Sequence, residues 1–305
     1  MSALWEPVSG AFWSTAPFLP SMGWSVDYGA LFTTLVGALA GAGIGAWTAG
    51  WISEKNRVRE LLTKEIRDTN AAIVLTLGVM SDGVSLKKNH VTPLAEDYFA
   101  KRKKCEETMA QMALGHPQTE FPRINLLEFP EIAPPIFHLQ EIVLSRLSTA
   151  GRALACVTTL NDAVININTA LKRRNDLIIK FKNNDFPPGA TREHFCFGIR
   201  YGKGETNEEY QDSIMGISFY TDDVIFFSSE LCTDLVAHGE LLVKRFKKRR
   251  LGVPTPEIHT VELSGLRKEG WIPDAAKYED WTSGFQTSKK EKQRWWKFTW
   301  CKQGE

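Results

Sequence analysis

The first fifty residues contain no lysine and no arginine, and the twenty-six from Tyr28 to Ser53 carry no charge of either sign. A secretory leader has a basic segment ahead of its apolar run; without one, the run reads as a retained anchor. Other absences narrow the chemistry. The five cysteines, Cys105, Cys156, Cys196, Cys232 and Cys301, are widely spaced and form no CxxC pair, which predicts reduced thiols in a cytoplasmic setting and neither a disulfide framework nor a zinc site. The six histidines are scattered, with no HExxH. The stretch Gly198 to Gly204 lacks GxGxxG and GK[ST], so no phosphate-cradling loop is expected there. No cofactor, no metal and no enzymatic activity are expected. The net charge of +1 selects no partner.

What is present begins with the charge-free run itself. At ~1.5 Å per residue, twenty-six helical residues exceed a bilayer core of ~30 Å, so 28–53 reads as a transmembrane helix. Its glycines need a reason, because glycine is a poor helix former. Gly29, Thr33, Gly37, Gly41, Gly45 and Ala49 recur every four residues and form one small-residue row. The opposite row carries Leu31, Leu35, Leu39, Gly43, Trp47 and Trp51. One face suits lipid and the other suits close approach of a second helix, which predicts a homo-oligomer. Lys55, Arg57, Arg59, Lys64 and Arg67 follow the run, placing the C-terminal side in the cytoplasm, with Trp47 and Trp51 at the inner interface and Trp24 at the outer one. Residues 1–27, aromatic and interrupted by Pro7, Pro17 and Pro20, read as an extracytoplasmic leader at that outer interface. The ten apolar residues Ala71 to Met80 read as a buried core segment; the alternative is a second span over 69–86.

Residues 54–250 read as a helical bundle. A helix continues from Glu54, another starts at Pro93 and ends near Gly115, and a proline-rich connection covers 115–135. A single helix is predicted from about Ile136 to Lys182, with Val143, Leu147, Ala150, Leu154 and Val157 on a heptad seam. Asn161, Asn168 and Asn175 continue that seam at intervals of seven. They make either a polar ladder between helices or, with the face rotated to Leu160, Ile167 and Arg174, a solvent-flanking row. Residues 183–207 read as an exposed connection, and a third helix runs from about Asn207 to Arg250. Its acids Asp222, Asp223, Glu230 and Asp234 have spacings that permit an acid and base pair, but solvated helix faces explain them more simply.

That helix ends in Lys244, Arg245, Phe246, Lys247, Lys248, Arg249 and Arg250. Cations complement the negative end of a helix dipole, but six in seven residues exceed that need and fit anionic lipid or nucleic-acid phosphates. Residues 251–305 read as an irregular tail, basic and aromatic near Trp295, Trp296 and Trp300, which suits a membrane, a protein partner or a single-stranded nucleic acid. The expected fold is mainly α: one transmembrane helix continuous with a cytoplasmic antiparallel bundle of long helices, then the tail.

Three functions fit these features: an effector whose glycine row oligomerises and damages the membrane, a quiet membrane-anchored scaffold or sensor recruiting a cytoplasmic partner, or a nucleic-acid binder acting through the basic tail. The layout, with the GALAGAGIGA run from Gly37 to Ala46, resembles the small membrane effectors of bacterial anti-phage systems, including those encoded beside retron reverse transcriptases. The resemblance is one of architecture, and some of those effectors cross the membrane twice. It implies a bacterial inner-membrane protein that stops growth on infection, with a reverse transcriptase and its nucleic-acid product as the partner that keeps it silent.

Overall fold

The computed structural model describes residues 28–115, 121–249 and 253–285, with side chains from Trp47 onward. Among these the chain is helical and contains no strand. Residues 1–55 and 56–305 form two compact units. The long helices are α1 (Tyr28–Leu86), α2 (Thr92–Ala113), α4 (Arg152–Asn183) and α6 (Glu209–Lys248). A π-helical turn, Lys87–Val91, carries α1 into α2 without a break in helical backbone, and Pro93, which has no N–H to donate, follows it directly.

In the second unit the helices are arranged around α6. Along α6, Val224 to Ser229 are six consecutive buried residues, so that part of the helix is enclosed on all sides rather than along one stripe. The partners run antiparallel to it. Arg152 near the start of α4 meets Asp234, while Arg173 meets Glu209 at the beginning of α6. From α1 and α2, Glu65 meets His238, Lys87 meets Asp222 and Arg102 meets Gln211, again in opposed order. The hydroxyls buried here are satisfied within their own helices: Thr76 donates to the carbonyl of Ala72, Thr221 to Ile217 and Ser228 to Val224.

The expected antiparallel bundle of long helices is thus present, with three local corrections. The predicted helix from Ile136 to Lys182 is two helices, α3 (Ile136–Ser145) and α4. The break has a cause on each side: Ser148 donates its N–H to Glu65 at 2.7 Å, and Gly151 takes a φ of 65°, open to glycine at little cost. Ala150, placed on the seam by periodicity, is exposed. The connection 183–207 is exposed over much of its length, as expected, but it is docked at its middle. It contains α5 (Arg192–Phe197), whose Cys196 and Phe197 are buried beside Tyr98, Phe181 and Tyr210. The described part of the tail, 253–285, holds α7 (Ser264–Lys268), a 3-10 turn (Ala275–Tyr278) and α8 (Glu279–Ser283). It packs on α6, with the Tyr278 ring stacked on Phe226 at 3.7 Å and Trp281 edge-on to Phe227.

The segment Trp47–Ala113 is long and apolar enough to cross a membrane by composition, but 44% of its most apolar eighteen-residue window is buried inside the protein. Ala72, Ile73, Thr76, Val79 and Met80 lie in the interior, the environment expected of a core segment at 71–80.

Helix α6 leaves no room at Gly239. A Cβ there would lie 2.6 Å from Cδ1 and 2.9 Å from Cγ1 of Ile258, whereas one at Gly78 meets nothing within 4 Å. Gly239→Ala is expected to destabilise the protein by about 1–3 kcal/mol through overpacking. Gly78→Ala should stabilise it by up to about 1 kcal/mol, the difference in helix propensity. Chemical denaturation of the detergent-solubilised chain measures both.

Candidate functional site

Three places in the second unit gather polar side chains: the face of α4 that carries the asparagines, the cleft between α6 and the C-terminal segment, and the basic end of α6.

On α4 the buried face is led by Leu160, Ile167 and Arg174, each 0% exposed, so the rotated register is the one adopted. The asparagines accordingly flank that face, half-buried, as the rotated register requires, and two of them make contacts that spacing did not show. Asn168 accepts from the Ile132 N–H at 2.9 Å and donates to the Ile132 carbonyl at 2.8 Å. Asn175 does the same to Phe129, at 3.1 and 2.7 Å. Each amide pairs with a backbone as a neighbouring strand would, and together they clamp the proline-rich connection against α4. Asn161 takes no part, and its Oδ1 is buried without a partner. The clamped strap seats Ile124 and Leu126 in one apolar cluster and Phe129 and Ile132 in the next. Arg174 completes it, donating to the Leu127 carbonyl at 2.8 Å, with its guanidinium 4.4 Å from the centre of the Phe129 ring. Asn70 on α1 repeats the device, donating to the Glu257 carbonyl and accepting from the His259 N–H.

The four acids singled out on α6 are all engaged. Glu230 and Asp234 grip Arg152 at 2.9 and 2.5 Å, Asp222 holds Lys87 at 2.7 Å, and Asp223 accepts from the Tyr278 hydroxyl at 2.8 Å. Burial pushes the Asp223 carboxyl up, and Asp222 beside it adds to the rise against the Tyr278 hydrogen bond. A cleft of about 610 Å³ opens beside these residues, lined by Lys87, Asp222, Glu230, Arg267 and Lys277 among others. Its cations already face its carboxylates, with Arg267 3.8 Å from Glu230 and Lys277 3.9 Å from Asp222. The arrangement reads as a structural clasp for the C-terminal segment.

At the end of α6, Phe246 is buried against Ile66 and Leu242, which anchors the helix, while Lys244, Arg245, Lys247, Lys248 and Arg249 are exposed. Arg245, Lys248 and Arg249 border an open cavity of about 760 Å³ with Val58 and Leu62 of α1. Sequence spacing gave the charges; the pairing with an apolar patch on α1 is a tertiary fact that spacing cannot show.

In the first unit, Trp47 is 74% and Trp51 62% exposed, Ala49 is exposed, and the Lys55 ammonium lies 5.4 Å from the Trp51 ring. Gly29, Thr33, Gly37, Gly41 and Gly45 belong to α1 by backbone, but their side-chain surroundings lie outside the described residues. Trp24, Arg250, Trp295, Trp296 and Trp300 lie outside the described residues altogether. Cys105, Cys156, Cys196 and Cys232 are free and buried. Burial pushes their thiols up, Cys105 and Cys232 to about 11 and Cys156 to about 12, so they are poor nucleophiles at neutral pH.

Two measurements follow. Replacing Asn168 or Asn175 by Ala leaves an N–H and a carbonyl of the strap unpaired and should cost about 1–3 kcal/mol each. The double variant should be cut between 121 and 135 by protease much faster than the native chain. Burial alone would raise the Glu65 carboxyl, but the Ser148 hydroxyl and N–H and the His238 ring outweigh it and hold it below its ordinary 4.5. A lowered carboxylate contributes stability above its unfolded value and loses it as pH falls through the folded one. The stability gap between the native chain and Glu65→Gln should therefore be full at pH 7 and shrink below about pH 4.

Compared with protein-family models, with curated proteins and with solved structures, the chain matches none.

Proposed function

We propose that this chain is a membrane-anchored effector: the helix carrying the glycine row self-associates in the bacterial inner membrane and permeabilises it, and the helical bundle controls when it does so. The observation that carries the reading is the start of α1. A charge-free run ends in Trp47, Trp51 and Ile52, all exposed to a degree unusual for such large apolar side chains, with Lys55 against Trp51. Tryptophan and lysine in that order belong at the border between lipid and cytoplasm. The bulk of the chain, 54–305, is then cytoplasmic and the N-terminus outside.

The ion pairs that align the helices along α6, Arg152 with Glu230 and Asp234 and Lys87 with Asp222, are ones that a change of helix packing would break, which suits control as the bundle's task. In the infection setting that the resemblance implies, a complex of reverse transcriptase and nucleic acid restrains the bundle, and loss of that complex releases it. A non-toxic scaffold is the second reading, favoured by the clasped C-terminal segment, whose cleft offers a partner both signs of charge.

Membrane potential distinguishes the two. Bacteria expressing the native chain should depolarise, and a Gly37→Leu/Gly41→Leu variant reaching the membrane at equal level should not, because the bulkier row blocks close helix approach. No depolarisation by either chain, with or without infection, would remove the effector reading.

A further inference from the structure

Three cations at the end of α6 differ from those that hold the bundle together. Lys87 and Arg152 each face carboxylates within 2.9 Å, and even the exposed Lys244 has Glu240 at 3.8 Å. Among the described residues, Arg245, Lys248 and Arg249 have no carboxylate partner, yet they converge on one cavity. The helix dipole accounts for cations at a helix end, but not for their meeting an apolar floor. That floor is Val58 and Leu62, both half-buried on α1, and it lines the cavity with the three cations above it.

Three unpaired cations over two aliphatic side chains are complementary to an anion that carries an apolar chain. A free inorganic anion would gain nothing from Val58 and Leu62. A single-stranded nucleic acid would stack its bases on aromatic rings, and among the described residues the lining contains none. Val58 and Leu62 follow the last residue of the charge-free run, Ser53, by five and nine positions, so the cavity involves the part of α1 next to the proposed membrane segment. We infer that this cavity binds an anionic phospholipid, with Arg245, Lys248 and Arg249 on the phosphate and Val58 and Leu62 against the apolar part of the same molecule. The inference rests on the membrane-anchored reading above and adds a specific ligand to it.

The test is native mass spectrometry of the full detergent-solubilised chain with phosphatidylglycerol or phosphatidylcholine of identical acyl composition. The native chain should retain phosphatidylglycerol about tenfold more tightly than phosphatidylcholine. Arg245→Gln/Lys248→Gln/Arg249→Gln should abolish the preference, while Lys244→Gln/Lys247→Gln, which removes two neighbouring cations outside the cavity, should keep it. Equal preference in the triple variant would overturn the proposal. So would full displacement of the lipid by millimolar inorganic phosphate, which would make the site one for free anions. Displacement by a short oligonucleotide with no headgroup preference would assign the cations to nucleic acid and overturn it as well. The readout needs no pore. A chain that holds phosphatidylglycerol but leaves membrane potential intact keeps the site and loses the effector reading, and the opposite pair of results removes the site alone.

Discussion

A helix whose side chains are apolar, or satisfied by their own backbone, on every side has to be enclosed, and the centre of α6 is such a helix. Val224 to Ser229 leave no face for solvent, so α1 and α4 cover two sides and the segment 253–285 covers a third. The tail packs here because Phe226 and Phe227 would otherwise be bare; Tyr278 and Trp281 are the lid. The same requirement explains why α1 continues as a helix past its charged turn, since Ile66, Ile73 and Val79 are needed against α6 and α4.

Enclosure by extended segments raises a second demand, because an extended chain lying on a helix cannot pair its backbone with that helix. Asn168 and Asn175 meet it by pairing with both the N–H and the carbonyl of one residue, and Asn70 by bridging the Glu257 carbonyl and the His259 N–H. Charge does the remaining alignment: the pairs along α6 fix the register of its neighbours, with Arg152 between Glu230 and Asp234 setting the start of α4.

Much of this was legible in the sequence. Helical periodicity gave α6 to within two residues at each end and the core character of 71–80, because these depend on one helix burying one pattern. The rotated face of α4 was one of two registers that the same residues allowed, and only contact with α6 decides between them. The break at Ser148 to Gly151 was only hinted at by three weak helix formers, Ser148, Thr149 and Gly151, inside an otherwise periodic run, and its decisive partner, Glu65, is eighty-three positions away. The asparagines were recognised as exceptional by their spacing of seven, but their partner is backbone, which leaves no pattern in a sequence. The cavity at the end of α6 was half visible: the cations announce themselves, while Val58 and Leu62 look like any other apolar pair.

Because the strap is held by its peptide groups, what the clamps demand of it is a conformation and two N–H groups. The prolines already present obey that rule: Pro122, Pro130, Pro134 and Pro135 stiffen the segment, and none falls at Phe129 or Ile132, the two positions whose N–H is spoken for. Between its apolar anchors, then, the strap tolerates wide drift in composition over evolutionary time, and proline at 129 or 132 is the one replacement that its fastening forbids outright.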